Sequence, residues 1–386
     1  MLVAVMGGRL QGVEAVYLAQ KAGWQVVLVD RDTDAPAAGM CEKFLKLDFM
    51  EKEELLGLFR EVQFVIPAME NSAALENINQ CALEAGVKTF YDPSAYALSS
   101  SKIKSDRLFA ELGLPVPKPW PGCGFPVTLK PSGASGSEDV HRVDNLRDFN
   151  ELIRKLGNLD DWVRQEYLRG PSYSIEVIGH NGNYHPFQVT ELEMDAGYDC
   201  KRVLSPAEMS QEKVREFKEC AVKIARALNL NGIMDVEVIL HDDKLKVLEI
   251  DARLPSQTPT AVYKSTGINL LEVLWSGRAG KNEEKRHKVG KTRGVVYEHI
   301  KVSGKRIEVG GEHMMSEAGR LRIYEDFFGA EEAISNFSKD KEEWVATLII
   351  TGKDRDQAWN RRCKVIQNIM RRYGIEDCVD MCPIIR

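Results

Sequence analysis

The sequence lacks several features that would place it in common classes of protein. None of its 386 residues lies in an uninterrupted run of about 18 apolar residues, and an apolar strand follows Met1 directly. We therefore expect a cytoplasmic protein with no membrane contact. Its eight cysteines are scattered singly apart from Cys378 and Cys382, which favours reduced thiols over disulfides or a zinc site. A formal net charge of -6 disfavours a nucleic-acid partner.

Two phosphate-binding motifs are also missing. The G-x-x-x-x-G-K-[ST] order of a Walker loop does not occur. A strand, glycines, a helix and then Asp30 mimic a dinucleotide fingerprint. With Gly7 and Gly12 as its outer glycines, however, the middle position is Arg9, whose side chain would block the close backbone approach of a pyrophosphate. A nicotinamide-dependent oxidoreductase is thus a weaker alternative.

The pattern of apolar residues predicts an α/β part followed by an α+β part. Up to about residue 95, strands alternate with helices, as in a parallel sheet covered on both faces. A proline-rich connector, 114–121, then leads to an antiparallel unit. Ahead of the connector the pattern predicts a helix at 99–113. In the antiparallel unit it predicts strands at 125–130, 162–167, 173–179 and 184–193 with one helix at 146–156, and a helix at 211–228 follows. Nearer the end it predicts a basic, solvated loop at 277–293, a strand at 344–351 and a helix at 354–373.

The most informative stretch is a predicted β-hairpin whose arms span 234–240 and 245–251. Side chains alternate along a strand, so Asp235 and Glu237 share one face of the first arm, and Glu249 and Asp251 share one face of the second. Only a register that pairs odd with odd positions keeps the apolar residues together on the core face, and it places all four carboxylates on the opposite face. The apolar set is Met234, Val236, Val238, Leu248 and Ile250.

Four carboxylates on one face repel one another unless a cation lies among them. Oxygen ligands of this kind, completed by substrate phosphates, suit magnesium. Arg253, two residues further on, could hold a transferring phosphoryl group. The alternative is a solvated acidic face.

A second motif is a strand that ends in Lys130 and continues into a Gly- and Ser-rich loop, residues 131–137. Gly133 and Gly136 would let backbone N–H groups approach phosphate oxygens closely, although most such loops are only loops. Lys102 lies ahead of this motif, and Gln165 to Leu168 end a strand in a manner that suits a purine-binding hinge.

The order of lysine, lysine and loop, hinge and carboxylate hairpin resembles the ATP-grasp superfamily, over residues 1 to about 275. The resemblance implies a Rossmann-like pre-ATP-grasp domain at 1–95, an N-terminal ATP-grasp subdomain with its Gly-rich flap at 96–170, and a C-terminal subdomain at 171–386. It also implies ATP and two magnesium ions as cofactors. Ser172 stands where many members have an acidic residue, which leaves ribose binding to Glu176 or another group. The resemblance implies nucleotide contacts from Lys102, Lys130, Ser137, Gln165, Glu166, Tyr167 and Leu168, metal ligation by Glu237, Glu249 and Asp251, and catalysis by Arg253 and Lys130.

Within the superfamily, residues 7–14, 67–71 and 249–259 resemble the ligases of the pyrrolysine pathway, and residues 310–313 and 327–333 extend the likeness. Such enzymes join (3R)-3-methyl-D-ornithine to the ε-amino group of L-lysine through an acyl phosphate. The resemblance implies lysine binding by Leu10, Gln11 and Glu70, and further ATP contacts from Arg9, Asp30, Asp48 and Phe49. Because lysine and 3-methyl-D-ornithine or D-ornithine are cationic amines, we expect acidic pocket residues. The candidates are Glu70, Glu176, Glu191, Glu193 and Asp235.

Several alternatives stay open at this point. Glu191 and Glu193 fit a salt-bridged sheet surface equally well. His313, beside Glu312 in a Gly-rich turn, is either a substrate contact or a structural part of the loop. The whole chain is either this ligase or another ATP-grasp ligase that joins a carboxylate to an amine, since the clamp residues do not choose the acid. The sequence also leaves a homodimer open.

Overall fold

The computed structural model describes residues 1–278 and 292–383. Most of the predicted basic loop at 277–293 lies outside these residues. In the described part of the chain, no helix has the length and apolar character needed to cross a bilayer.

The first 90 residues form a parallel five-stranded sheet with the order β3-β2-β1-β4-β5. Val3 and Val5 pack on one face of the sheet with α1, while Ala4 and Met6 pack on the other with α2 and α3, because neighbouring side chains on a strand point to opposite faces. The predicted parallel sheet with two covered faces is therefore confirmed. Its elements are β1 (Leu2–Met6), α1 (Leu10–Lys21), β2 (Gln25–Asp30), β3 (Lys43–Lys46), α2 (Lys52–Phe59), β4 (Phe64–Pro67), α3 (Ser72–Ala85) and β5 (Lys88–Thr89).

Two short helices connect this sheet to a smaller antiparallel one. The predicted helix at 99–113 begins later, because Ser101 accepts the backbone N–H of Lys104 and caps a helix that starts at Lys102. A separate helix, capped by Asp92, precedes it and was not predicted. The small sheet has the order β7-β6-β8. These elements are α4 (Pro93–Ser99), α5 (Lys102–Glu111), β6 (Val127–Pro131), β7 (His141–Val143), α6 (Leu146–Leu156) and β8 (Trp162–Glu166).

The rest of the chain builds a 12-stranded sheet with the main order β14-β13-β9-β11-β12-β15-β19-β18-β17. Its pairs are antiparallel except β16 with β20. The strands are β9 (Ser172–His180), β10 (Asn183–Pro186), β11 (Thr190–Met194), β12 (Cys200–Ser205), β13 (Gly232–His241), β14 (Lys244–Asp251), β15 (Gly294–Ser303), β16 (Arg306–Val309), β17 (Arg322–Phe327), β18 (Ala330–Ser335), β19 (Glu343–Gly352) and β20 (Asp377–Asp380). The helices are α7 (Gln211–Ala227), α8 (Thr258–Thr266), α9 (Leu270–Arg278), α10 (His313–Ser316) and α11 (Arg355–Tyr373).

The antiparallel α+β character of this region is confirmed, with one error in the strands. The predicted strand at 184–193 is two strands, β10 and β11, separated after Pro186, which has no N–H to continue a ladder. The strands β7 and β12 and the helices α8 and α9 were not predicted. The division of the chain at residues 95 and 170 stays a prediction.

Candidate active site

The hairpin of β13 and β14 places four carboxylates on one face, as predicted. Asp235 pairs with Asp251 and Glu237 with Glu249. The turn is two residues long, and both of them have positive φ, which matches the twist of the flanking strands. All four acidic side chains line a common cavity of about 460 Å³.

A β-bulge changes the register beyond Glu237, and it corrects one predicted core residue. Val238 lies opposite Val247, so Leu248 is the extra residue on its strand. Val247 is fully buried in the core, whereas Leu248 is partly exposed and lines a second cavity, of about 250 Å³. The prediction of Leu248 on the core face was therefore wrong.

Two lysines from other elements lie close to Glu249. Its Oε2 is 3.3 Å from Lys102 Nζ, at the start of α5, and 3.9 Å from Lys130 Nζ, on β6. Burial lowers the pKa of Lys130, which is 5% exposed. Burial would raise the pKa of Glu249, but the two lysines outweigh it, so this pKa is lowered. Glu249 is thus the member of the cluster that the neighbouring cations keep ionised.

The other three carboxylates carry raised pKa values. Burial, then the charge of Glu249, raises the pKa of Glu237 to about 8. Burial and the neighbouring acids raise the pKa of Asp235 well above its ordinary range. Burial raises the pKa of Asp251 to about 6, although Arg253 Nη2 lies 2.7 Å from its Oδ2. The cluster therefore carries more acid than its own cations neutralise.

The donor set fits magnesium in chemical kind but is not assembled around an ion. Buried oxygens of Asp235 and Asp251 have no hydrogen-bond partner, which is a cost that a cation would remove. Across residues 1–278 and 292–383, however, no three acidic, histidine or cysteine side chains converge in a geometry ready to hold a metal. Glu249 turns to the lysines and Asp251 to Arg253 instead. Metal ligation by Glu237, Glu249 and Asp251 stays a prediction.

The second cavity adjoins the carboxylate face and has the features of a nucleotide cleft. Leu248, Ile239 and Leu168 give it apolar walls suited to a purine ring. Lys246 Nζ lies 2.6 Å from Glu166 Oε2 and fixes that side chain beside the strand end. The structure brings all seven residues predicted for the ATP-grasp nucleotide site to this cleft: Lys102, Lys130, Ser137, Gln165, Glu166, Tyr167 and Leu168.

The Gly-rich loop closes over the junction of the two cavities. Lys102 Nζ donates to the carbonyl of Ala134 at 2.5 Å, Ser135 donates to Glu70, and Ser137 Oγ donates to the carbonyl of Tyr198 at 2.6 Å. The loop is therefore held from the α5 side, from the first sheet and from the large sheet. We call residues 133–138 the flap.

The first cavity holds part of the predicted substrate set. Glu70 and Asp235 line it, and Glu70 also forms an ion pair with Arg253. Gln11 Nε2 donates to Glu70 Oε1 at 2.9 Å, so Gln11 stands behind that carboxylate. Leu10 lines a small adjoining cavity.

Glu176 does not lie where the substrate prediction put it. It pairs with Asp235 across β9 and β13, is fully buried, and lines neither of the two large cavities. Burial raises its pKa to about 7. Because it stands opposite Asp235 on the neighbouring strand, Glu176 lies on the same face of the sheet as the four carboxylates, but the packing around it closes it off from both cavities.

Glu191 and Glu193, for which the sequence allowed either substrate binding or a salt-bridged sheet surface, both form ion pairs. Glu191 Oε2 is 2.6 Å from Arg355 Nη1, and Glu193 pairs with Arg202. The salt-bridged sheet surface is the reading that the geometry favours for both.

The structure does not bring the four first-domain residues predicted to contact ATP to the cleft. Arg9, Asp30, Asp48 and Phe49 line neither large cavity. Asp30 Oδ2 accepts the N–H of Gly8 at 2.7 Å and Oδ1 accepts that of Asp32 at 2.9 Å, which orders the glycine turn itself. Phe49 packs against the core beside α2 and α3. A nucleotide contact from these residues stays a prediction without support from the geometry.

The sequence analysis gave no role to several polar residues of the first cavity, among them Asp199, Gln257 and Glu312. Gln257 and Glu312 lie in two of the sequence motifs on which the resemblance to the ligase family rests, but no role was predicted for either residue. Asp199 lies in the turn between β11 and β12. Because β12 was not predicted, this turn was not predicted either, and no sequence motif includes Asp199.

Comparisons with known proteins agree with this geometry. The protein-family model of the ATP-grasp domain matches residues 99–257 of the sequence. The 3-methyl-D-ornithine–L-lysine ligase of Methanosarcina barkeri is 34% identical over 376 residues, which cover 96% of this chain and 98% of the relative. Among solved structures, an N5-carboxyaminoimidazole synthetase of Staphylococcus aureus with ADP superposes with a TM-score of 0.69 at 18% identity, over 94% and 96% of the two chains. An L-amino acid ligase of Bacillus licheniformis superposes with a TM-score of 0.67 at 17% identity, over 95% and 97%.

Proposed function

Since the chain belongs to the ATP-grasp family, and within it to the family of the 3-methyl-D-ornithine–L-lysine ligases, we propose that it joins 3-methyl-D-ornithine to L-lysine. The predicted ATP-grasp fold and the class of ATP-dependent carboxylate–amine ligase are confirmed. The proposal concerns the identity of the two substrates, the use of magnesium and the roles of individual residues.

The reaction that fits the site has two steps. A carboxylate oxygen of the acid attacks the γ-phosphorus of ATP, so that an acyl phosphate forms and ADP leaves. The ε-amine of lysine then attacks the acyl carbon, phosphate leaves, and the amine loses a proton to give an amide. Magnesium held by Glu237, Glu249 and Asp251 would neutralise phosphate charge. Lys102 and Lys130 would position the phosphates, and Arg253 would stabilise the charge on the transferring group.

The observation that carries the proposal is the junction of the two cavities. The apolar cleft and the acidic cavity share Lys102, Glu237 and Glu249, so a phosphate held by that lysine lies beside both. A carboxylate bound in the acidic cavity would then face the γ-phosphate, which is the arrangement that acyl-phosphate formation needs.

The charge of the first cavity supports amine substrates. Glu70, Asp199, Asp235 and Glu312 line it, and the cations that line it are Lys102 and Arg253. Acidic side chains in a partly desolvated cavity bind ammonium groups through charge-assisted hydrogen bonds. Two amino acids with side-chain amines would place several ammonium groups among these acids.

Mass spectrometry of the products tests the proposal. The enzyme is incubated with magnesium, ATP, L-lysine and either 3-methyl-D-ornithine or D-ornithine, and we expect an amide whose mass is the sum of the two amino acids less water. Nε-acetyl-L-lysine is the matched control, because its ε-nitrogen is no longer nucleophilic and no product should form. If ADP appears only with other pairs of acid and amine, the substrate assignment is wrong and the chain is another carboxylate–amine ligase of the family.

A further inference from the structure

The flap touches a residue from the far end of the chain. Gly136 has a φ of +58°, and a Cβ atom built on it would lie 2.4 Å from Cε1 and 2.7 Å from Nε2 of His313. The imidazole thus occupies the space that a side chain at position 136 would need. His313 begins α10, more than 170 residues after the flap and beyond the part that the ATP-grasp domain model matches.

His313 is itself fixed in place by Asp199. Asp199 Oδ2 accepts from the His313 backbone N–H at 3.1 Å and lies 2.8 Å from Nδ1 of the ring. The hydrogen bond to Asp199 raises the pKa of His313 to about 9, so the ring is protonated at neutral pH and Nδ1 donates. Gly311 lies against the same carboxylate, with its N–H donating to Asp195 Oδ2 at 2.9 Å. The ring is therefore oriented toward the flap by a rigid support.

The turn between β11 and β12, which contains Asp199, also holds the flap directly. Ser137 donates to the carbonyl of Tyr198, the residue before Asp199. Ser137 has a φ of +61°, a conformation that serine rarely adopts. Two consecutive flap residues are therefore held: Gly136 by the ring of His313, and Ser137 by the β11–β12 turn. Both contacts keep the flap in the same position.

We propose that His313 is a positioning residue that holds the flap closed over the bound nucleotide. Its ring packs on Gly136, and Asp199 keeps that ring in place. The inference rests on the proposed use of the adjoining cleft for ATP, but not on which acid and amine are joined. Without the ring the flap would open more often, ADP would leave sooner, and water would reach the acyl phosphate.

The test measures dissociation of N-methylanthraniloyl-ADP in the presence of magnesium by stopped-flow fluorescence. We expect His313→Ala to dissociate this probe about fivefold faster than the wild type, the size expected from losing one ordered contact. His180→Ala is the matched control, since His180 lies at the end of β9 and bonds to Asn181, outside both large cavities. Its rate should equal that of the wild type.

Two further variants separate the flap contact from a structural role of the histidine. His313→Asn can keep the hydrogen bond to Asp199 but lacks the ring atoms next to Gly136, so it should behave like His313→Ala. A wild-type rate in His313→Asn would show that only the bond to Asp199 matters, and would overturn the proposal.

A double-mutant cycle tests the contact itself. Introduced into the wild-type background, Gly136→Ala should speed dissociation of the labelled ADP, because its methyl group collides with the ring of His313. Introduced into the His313→Ala background, where that ring is absent, it should speed dissociation by a smaller factor. Equal factors in both backgrounds would refute the contact. If the wild type binds no labelled ADP, the proposed use of the cleft fails instead, and the two failures are distinguishable. Hydrogen exchange of residues 133–138 with ADP bound should be faster in His313→Ala, and unchanged exchange would also count against the proposal.

Discussion

Glu249 and Glu237 face each other across the hairpin, yet replacing each by glutamine should change stability in different ways. Glu249 has two cationic neighbours, Lys102 at 3.3 Å and Lys130 at 3.9 Å. Removal of one partner of a buried ion pair costs about 3–5 kcal/mol. The Glu249 side chain is 36% exposed, so solvent screening reduces that cost, and we expect Glu249→Gln to lose roughly 1–2 kcal/mol.

Glu237→Gln should not carry this cost at neutral pH. Burial and Glu249 raise the pKa of Glu237 to about 8, so its carboxyl group is mostly protonated at pH 7, and glutamine resembles that form. A raised pKa means that this group's contribution to stability is complete below pH 4.5 and is lost as pH rises through 8. Glu237→Gln should therefore equal the wild type below pH 4.5, and its stability should exceed that of the wild type by a margin that grows as pH rises from 4.5 to about 8.

Thermal unfolding in EDTA without nucleotide measures both effects, and release of ADP with magnesium measures activity. Both variants should lose ADP formation, because both residues belong to the proposed metal site. Equal melting temperatures of Glu249→Gln and the wild type at pH 7 would refute the argument from ion pairing. Full ADP formation in either variant would refute the metal role of that residue.

Two predictions concern buried acids away from the cleft. Burial raises the pKa of Glu14 from 4.5 to about 8, so the stability of the wild type should fall as pH rises between these values. Glu14→Gln can still accept the N–H of Thr260 and should remove this part of the fall in melting temperature. Parallel curves of melting temperature against pH for the variant and the wild type would contradict the prediction. Glu298 is fully buried between Arg202 and Arg362, so Glu298→Gln should cost about 3 kcal/mol in denaturant unfolding. The two arginines keep Glu193 and Asp380 as partners, so the cost comes from losing the fully buried partner, and a loss below about 1 kcal/mol would contradict it.

The hairpin could be predicted because its signal is local. Alternation of apolar and acidic residues fixes which side chains share a face, and only one parity of register buries the apolar set. The bulge at Leu248 could not be predicted, since a single extra residue leaves the alternation on either side intact. Its consequence is functional, because it turns Leu248 from the core to the wall of the cleft.

Residues that act through long-range contacts escaped sequence reasoning. Asp199 and Glu312 meet in one cavity although 112 intervening residues separate them, and neither has partner spacing along the chain. The substrate role predicted for Glu176 also lacks support from the geometry. Its strand was predicted correctly, and Glu176 shares the carboxylate face with Asp235, but the long-range packing that closes it off from both cavities carries no local sequence signal.

The pairing of charges in the site suggests how the ligands enter. In the structure, Lys102 and Lys130 neutralise Glu249, while Arg253 neutralises Asp251 and Glu70. On the proposed assignment, nucleotide phosphates would take over the lysines, and magnesium would take over the carboxylates. Each ligand alone would leave buried charge of one sign without a partner, which is costly. Nucleotide and magnesium should therefore bind more tightly together than separately, and this coupling follows from the residues of the cluster themselves.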